Sequence, residues 1–224
     1  FSEVDLWPGE SELVLGAAVP GVLAAALCVV NAVFALRYLR ETAGGQLKDR
    51  KRPPVLAAVR QVLAHPRQPA SRVILVYSVA IGTAHAINPL MALFLDARMG
   101  IDDKSIGYVF MYIGSISVFA RVLILGRCVD RMGEVGVSRI GVCSLAACFL
   151  LMPFVGSLGS LALVLALQPV GMALTFPCLA ALLSRLVPQP DRGMFMGIQQ
   201  SFAGFVRVMA PLVYGKAFDL VSID

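Results

Sequence analysis

Gly126-Arg127-Cys128-Val129-Asp130-Arg131-Met132-Gly133-Glu134 is a short charged stretch between two long apolar runs, Ile106–Leu125 and Val135–Val155. Each run has about 20 residues, enough for a helix to cross roughly 30 Å of hydrocarbon. Two such helices joined by so few residues must be antiparallel neighbours. Gly126 and Gly133 let the backbone turn sharply, and the arginines hold the turn at one membrane face. The stretch is therefore expected to form a hairpin between two membrane helices.

The rest of the composition agrees. The chain is 58% hydrophobic and 15% charged, with a mean hydropathy of +0.80, where a soluble domain would carry about 25% charge. This is the signature of a multi-span integral membrane protein. In that setting the net charge of +5 is read as topology, and no nucleic-acid partner is expected. Cys28, Cys128, Cys143, Cys148 and Cys178 lie in or beside apolar spans without metal-ligand spacing. They read as small packing residues, and neither a disulfide, a metal nor a cofactor is expected. Phe1 is not a start methionine, so the chain is expected to be a fragment of a longer polypeptide.

Six spans are expected: Leu13–Leu36, Val73–Leu95, Ile106–Leu125, Val135–Val155, Leu161–Leu186 and Met194–Phe218. Residues 1–12 are acidic and polar, with Trp7 placed as an interfacial anchor. Residues 37–71 form a long basic connector. Inside it Val55, Leu56, Val59, Val62 and Leu63 fall at helical spacing, which predicts an amphipathic helix on the membrane surface. Alternating the spans puts fourteen Lys and Arg residues on one side: nine from Arg37 to Arg72, then Arg127, Arg131, Arg139, Arg185 and Arg192. The other side receives three, Arg98, Lys104 and Lys216. Basic loops stay cytoplasmic, so residues 37–71 are expected inside and residues 1–12 outside. Asp and Glu occur only in loops or at span ends, whereas Arg121 and Arg207 lie within spans.

The pattern Gly126-x-x-x-Asp130-Arg131-x-Gly133 resembles the inter-helix signature of the major facilitator superfamily. The tract Phe176-Pro177-Cys178…Leu183-Ser184-Arg185-Leu186-Val187-Pro188…Asp191-Arg192-Gly193 looks like that family's junction between helices ten and eleven. Met196-Gly197-Ile198-Gln199-Gln200-Ser201…Arg207…Ala210-Pro211…Gly215 is similar to its eleventh helix, above all in the drug:proton antiporter and tetracycline-resistance-like branch. Ala210 stands where the family more often has glycine before the proline. The resemblance implies an all-α integral membrane fold of twelve helices in two bundles. Residues 13–36 would be the last helix of the N-terminal bundle, residues 37–71 the central loop, and residues 72–224 most of the C-terminal bundle without its last helix. Helices six to eleven would then be present, and the N-terminal bundle would be missing. The implied function is alternating-access transport of a small organic solute, as a proton-coupled exporter of drug-like compounds or metabolites. Membrane lipid, the solute, protons and the missing bundle are the implied partners.

In this family the signature acts as a latch. Asp130 would neutralise the positive end of a helix in the other bundle, and Arg131 would hold a carboxylate or lipid phosphates. Arg192 and Gly193, at the start of the last span, would face the missing bundle's own motif. For the substrate cavity, Tyr77 and Asn88 lie close to one helical face, with His85 about 60° from Asn88. Tyr108, Tyr112 and Ser115 recur at helical spacing. Gln168, Thr175, Gln199, Gln200 and Arg207 complete the polar set. Each could instead join neighbouring helices by hydrogen bonds. His85 reads as a neutral packed histidine or as a group that takes up protons in the transport cycle. Arg207 needs a partner at membrane depth, either a carboxylate of the other bundle or an anionic group of the solute. Gly193, Gly197 and Gly204 read as marks of close helix packing.

Other functions are weaker readings. A receptor or scaffold that keeps the carrier fold without transport is the alternative. No His-Glu-x-x-His, no paired intramembrane aspartates and no Ser/His pair at catalytic spacing point to an enzyme. The turn at residues 156–160 leaves no room for a channel filter.

Overall fold

The computed structural model describes residues 12–39, 55–99 and 103–222, and every regular element among them is helical. Trp7 and the basic run from 40 to 54 lie outside the described residues. The chain divides into two compact units, Phe1–Lys51 and Arg52–Asp224. The first holds α1 (Glu12–Tyr38), where the first span was expected, with apolar residues around its circumference. Phe34 and Tyr38, one turn apart, bring their ring centroids to 4.7 Å.

The second unit holds α2 (Val55–Ala64), α3 (Pro69–Met99), α4 (Asp103–Phe119), a π-helical turn (Ala120–Leu125) and α5 (Gly126–Leu151). It continues through a 3₁₀ turn (Met152–Phe154), α6 (Leu158–Leu186), a second 3₁₀ turn (Gln189–Asp191) and α7 (Arg192–Ser222). The start of α6 is written locally. The Ser157 hydroxyl accepts from the Ser160 backbone N–H, and the Ser160 hydroxyl accepts from that of Ser157, a reciprocal cap for two unpaired helix-end donors.

The expected hairpin is sharper than the sequence suggests. Gly126 is helical, with φ −58° and ψ −52°, and the helix runs on through Met132. Gly133 alone turns the chain, with φ 68° and ψ 166°. The charged stretch is thus a helix end and one glycine, not a nine-residue loop. Charged side chains at a membrane boundary can be solvated from a helix, so no extended loop is required. The pairing against α6 shows the reversal. Before the turn, Tyr112 meets Ala162, and Ile124 to Val129 pack around Leu174 and Cys178. After it, the order inverts: Val137 meets Leu174 and Cys178, then Ser144 bonds to Leu167.

The same reasoning orients the other helices. Ile74 packs with Leu183 and Val187, Ile81 with Leu179, and Leu95 with Leu161 and Leu165, so α3 and α6 are antiparallel. Ile74 with Ile198, and Tyr77 with Gln200, make α3 and α7 parallel. The start of α3, the Gly133 turn, the end of α6 and the start of α7 therefore share one end. Arg72, Arg127, Arg131, Arg139, Arg185 and Arg192 gather there.

Close packing falls on glycines other than those expected. A Cβ on Gly171 would stand 2.7 Å from Leu145 Cγ and 2.9 Å from the Gly141 carbonyl. One on Gly82 would overlap the Val206 side chain. Gly193, Gly197 and Gly204 have nothing within 4 Å and mark no close packing among the described helices. The sequence did not distinguish these glycines, because spacing alone does not reveal which face meets a neighbour.

Helix α2 forms where expected, but its buried face meets protein. Val62 is fully buried among Ile74, Leu183, Val187 and Ile198, with Val59 beside it, while Leu56 and Leu63 remain exposed. It is a strut across the ends of α3, α6 and α7.

Among the described residues three stretches are long and apolar enough to cross a membrane: Gly21–Tyr38, Ile106–Phe154 and Leu158–Leu186. The second has 49 residues. Drawn straight it would reach about 73 Å, more than twice the roughly 30 Å of hydrocarbon, and Gly133 folds it in two. Helices α3 and α7 stand where spans were expected but are not among the three.

Candidate functional site

Three helices converge on Tyr77. Its ring is buried on α3 beside Ile81, Leu179 and Ala203. Phe176 of α6 meets it edge-on, centroids 5.3 Å apart and planes at 71°, the geometry that aromatic quadrupoles favour. The Tyr77 hydroxyl accepts a 3.4 Å hydrogen bond from Gln200 Nε2 of α7. Gln200 itself is exposed. Arg207 follows seven residues on, nearly the same direction around α7. It too is exposed, and the close approach of Gly82 and Val206 brings its helix against the part of α3 that carries His85. Gly197 and Gly204, with open space where a side chain would be, flank Gln200 along this stripe. The seam of α3 and α7 thus presents a wall with an aromatic–amide post at Tyr77–Gln200 and a cationic post at Arg207.

The structure joins Tyr77 to Gln200 and packs Gly82 on Val206, so His85 and Arg207 follow on the same pair of helices. Tyr112, Gln168 and Gln199 lie elsewhere. Tyr112 donates its hydroxyl to the Ala162 carbonyl at 3.0 Å, tying α4 to α6. Gln168 and Gln199 are buried, at 2% and 1% exposure, inside the bundle and not on the open wall. Both Gln199 amide atoms and Thr175 Oγ1 lack hydrogen-bond partners. The side chain of Asn88 lies outside the described residues. Phe176, which frames the Tyr77 ring, was missed as a site residue. It is far from Tyr77 in the chain, and no spacing rule links them.

The signature residues are accessible. Asp130, Arg131, Arg192 and Gly193 are exposed. Arg192 Nε donates to the Val187 carbonyl at 3.4 Å, satisfying an orphan acceptor at the end of α6. The ion pair at this end is one the sequence did not reveal: Arg185 Nη2 stands 2.6 Å from Glu134 Oε1.

An apolar groove lies elsewhere. It has a volume of about 450 Å³ between α3 and α5, lined by Val76, Val79, Thr83, Val142, Ala146 and Phe149 among others. Its polar member, Thr83, donates its hydroxyl to the Val79 carbonyl, so that proton is not free for a solute. Among the described residues no group of three or more His, Cys, Asp or Glu could hold a metal ion.

An all-helical unit with reversing apolar helices, turned at Gly133 of a Gly-x-x-x-Asp-Arg-x-Gly signature, limits the families it can match. A family model described as Major Facilitator Superfamily matches residues 13–213. The chain belongs to the major facilitator superfamily. No curated protein and no solved structure matches it. As a member of the superfamily it is an integral membrane, multi-pass transporter protein, and the family's members act on small-molecule solutes and are not enzymes.

Proposed function

We propose that this chain is helices six to eleven of a proton-coupled exporter of drug-like or metabolite solutes, working by alternating access. The observation that carries the reading is the Tyr77–Phe176–Gln200 cluster, drawn from three helices with exposed Gln200 at its edge. Alternating access places the solute between two bundles, and the α3–α7 wall is the side that would face it. Residues 37–71 are then cytoplasmic, because the arginine-rich end of the second unit is the end they enter. Asp130 and Arg131 serve as the latch against the other bundle, with Arg192 and Gly193 as its reciprocal. Their exposure supports that role. The α3, α6 and α7 sequences hold no carboxylate between Ser71 and Phe94, Leu158 and Leu186, or Arg192 and Phe218. The coupling acid accordingly belongs to the other bundle, or His85 takes the proton.

The test is transport by the full-length protein in proteoliposomes carrying an imposed pH gradient. A fluorescent amphiphile should accumulate only with the gradient, and Tyr77→Ala should abolish accumulation. Accumulation that ignores the gradient removes proton coupling. A protein that folds and inserts but moves no solute would be the carrier-fold scaffold.

A further inference from the structure

The α3–α7 wall carries a positive charge without a partner among the described residues. Arg207 has no carboxylate partner among them. The carboxylates of these helices stand at their far ends. Asp219 is twelve residues beyond Arg207 and Asp96 eleven beyond His85, about 18 and 16 Å along a helix. Helix α6, which packs against both, has none. A guanidinium at membrane depth is costly without a counter-charge, and Arg207 is exposed on the open side.

The register adds a second element. Ile74 lies against Ile198, Tyr77 against Gln200 and Gly82 against Val206, so α3 and α7 stay in step toward His85 and Arg207. The close approach at Gly82 holds the two helices together three residues before His85 and one before Arg207. From Gln200 to Arg207 the stripe climbs about 10 Å, with Gly204 leaving room between them.

We propose that the solute is an organic anion, its carboxylate or sulfonate held by Arg207 and its aromatic or amide-bearing body lying toward Tyr77 and Gln200. This rests on the transport reading for its setting but makes its own claim about charge. A guanidinium presents a planar fork of donors suited to such a group, and neither α6 nor α7 from Arg192 to Phe218 carries an acidic residue that would repel it.

Binding separates this claim from transport itself. Naphthylacetate and its neutral carboxamide are titrated by calorimetry into the purified full-length protein. The carboxylate should bind at least about tenfold more tightly, the value of a hydrogen bond to a charged group. Arg207→Gln should erase that preference by weakening the carboxylate far more than the carboxamide, and Arg207→Lys should keep part of it. Equal affinities for the two compounds, or a preference that survives Arg207→Gln, overturns the inference. An Arg207→Gln protein with a collapsed melting temperature and lost carboxamide binding overturns it too, because Arg207 is then paired within the protein. Anion binding without flux in proteoliposomes would leave the charge assignment standing and remove only the transport reading.

Discussion

Glu134 and Arg185 close the arginine-rich end of the bundle: Oε1 and Nη2 stand 2.6 Å apart, with Glu134 13% and Arg185 71% exposed. The pair joins the first residue after the Gly133 turn to the last turn of α6. The unequal burial predicts unequal variants. Arg185→Ala strands a mostly buried carboxylate and should cost about 1–3 kcal/mol. Glu134→Gln leaves an exposed cation that water solvates, and should cost under about 1 kcal/mol. Thermal melting in detergent checks the order, and wild-type melting in both variants would mean that the pair itself adds nothing.

Both signature glycines are expected to turn the chain, yet the backbone assigns that task to Gly133. Its φ of 68° with ψ of 166° lies in a region that only glycine occupies at ease. Gly133→Ala should cost about 1–3 kcal/mol. Gly126 is helical with open space around it, so Gly126→Ala should be neutral or stabilising by up to about 1 kcal/mol. If Gly126→Ala lowers transport at unchanged melting temperature, its role lies in a contact with the other bundle.

Close packing gives a parallel contrast. A Cβ on Gly141 would overlap the Thr175 hydroxyl and stand 2.9 Å from the Gly171 carbonyl. Gly141→Ala should therefore destabilise by about 1–3 kcal/mol. Gly197→Ala, facing open space, should leave the melting temperature unchanged and act only on solute movement.

Tyr77→Phe removes a hydroxyl whose bond to Gln200 is long, 3.4 Å. The fold should lose under about 1 kcal/mol, since the ring and its contact with Phe176 remain. Solute KM should rise by about fivefold if the freed Gln200 amide no longer points along the wall. An unchanged KM for every solute transported would place the pair in packing alone.

Val62 is the anchor of α2. Val62→Asp puts a carboxylate into an apolar site, and α2 should leave the bundle end. Trypsin should then cut faster after Arg60 and Arg67, both exposed on or beside that helix. Cleavage at the wild-type rate would mean that α2 is held by other contacts.

Much of this architecture is legible in the chain itself. Long apolar runs must be helical because hydrocarbon offers no partners to backbone N–H and C=O groups. Their placement followed, as did α2, whose apolar residues recur at helical spacing. The site was legible only in part. Tyr77, His85, Gln200 and Arg207 stood out as polar residues in apolar runs, but so did Tyr112, Gln168 and Gln199, which the bundle uses elsewhere. Hydropathy marks a polar residue as unusual without saying whether it faces a neighbour, a cavity or a bundle interior.

The sequence by itself determined an all-helical membrane protein, the order of its helices and the arginine-rich side, because each depends on local composition and on solvation by hydrocarbon. Only the tertiary structure decided that Gly133 alone turns the hairpin, that Glu134 pairs with Arg185 and that Phe176 and Gln200 meet on Tyr77. Those facts depend on which faces of distant helices touch. That is set by the close approaches at Gly82, Gly141 and Gly171, through steric fit between segments that share no local sequence signal.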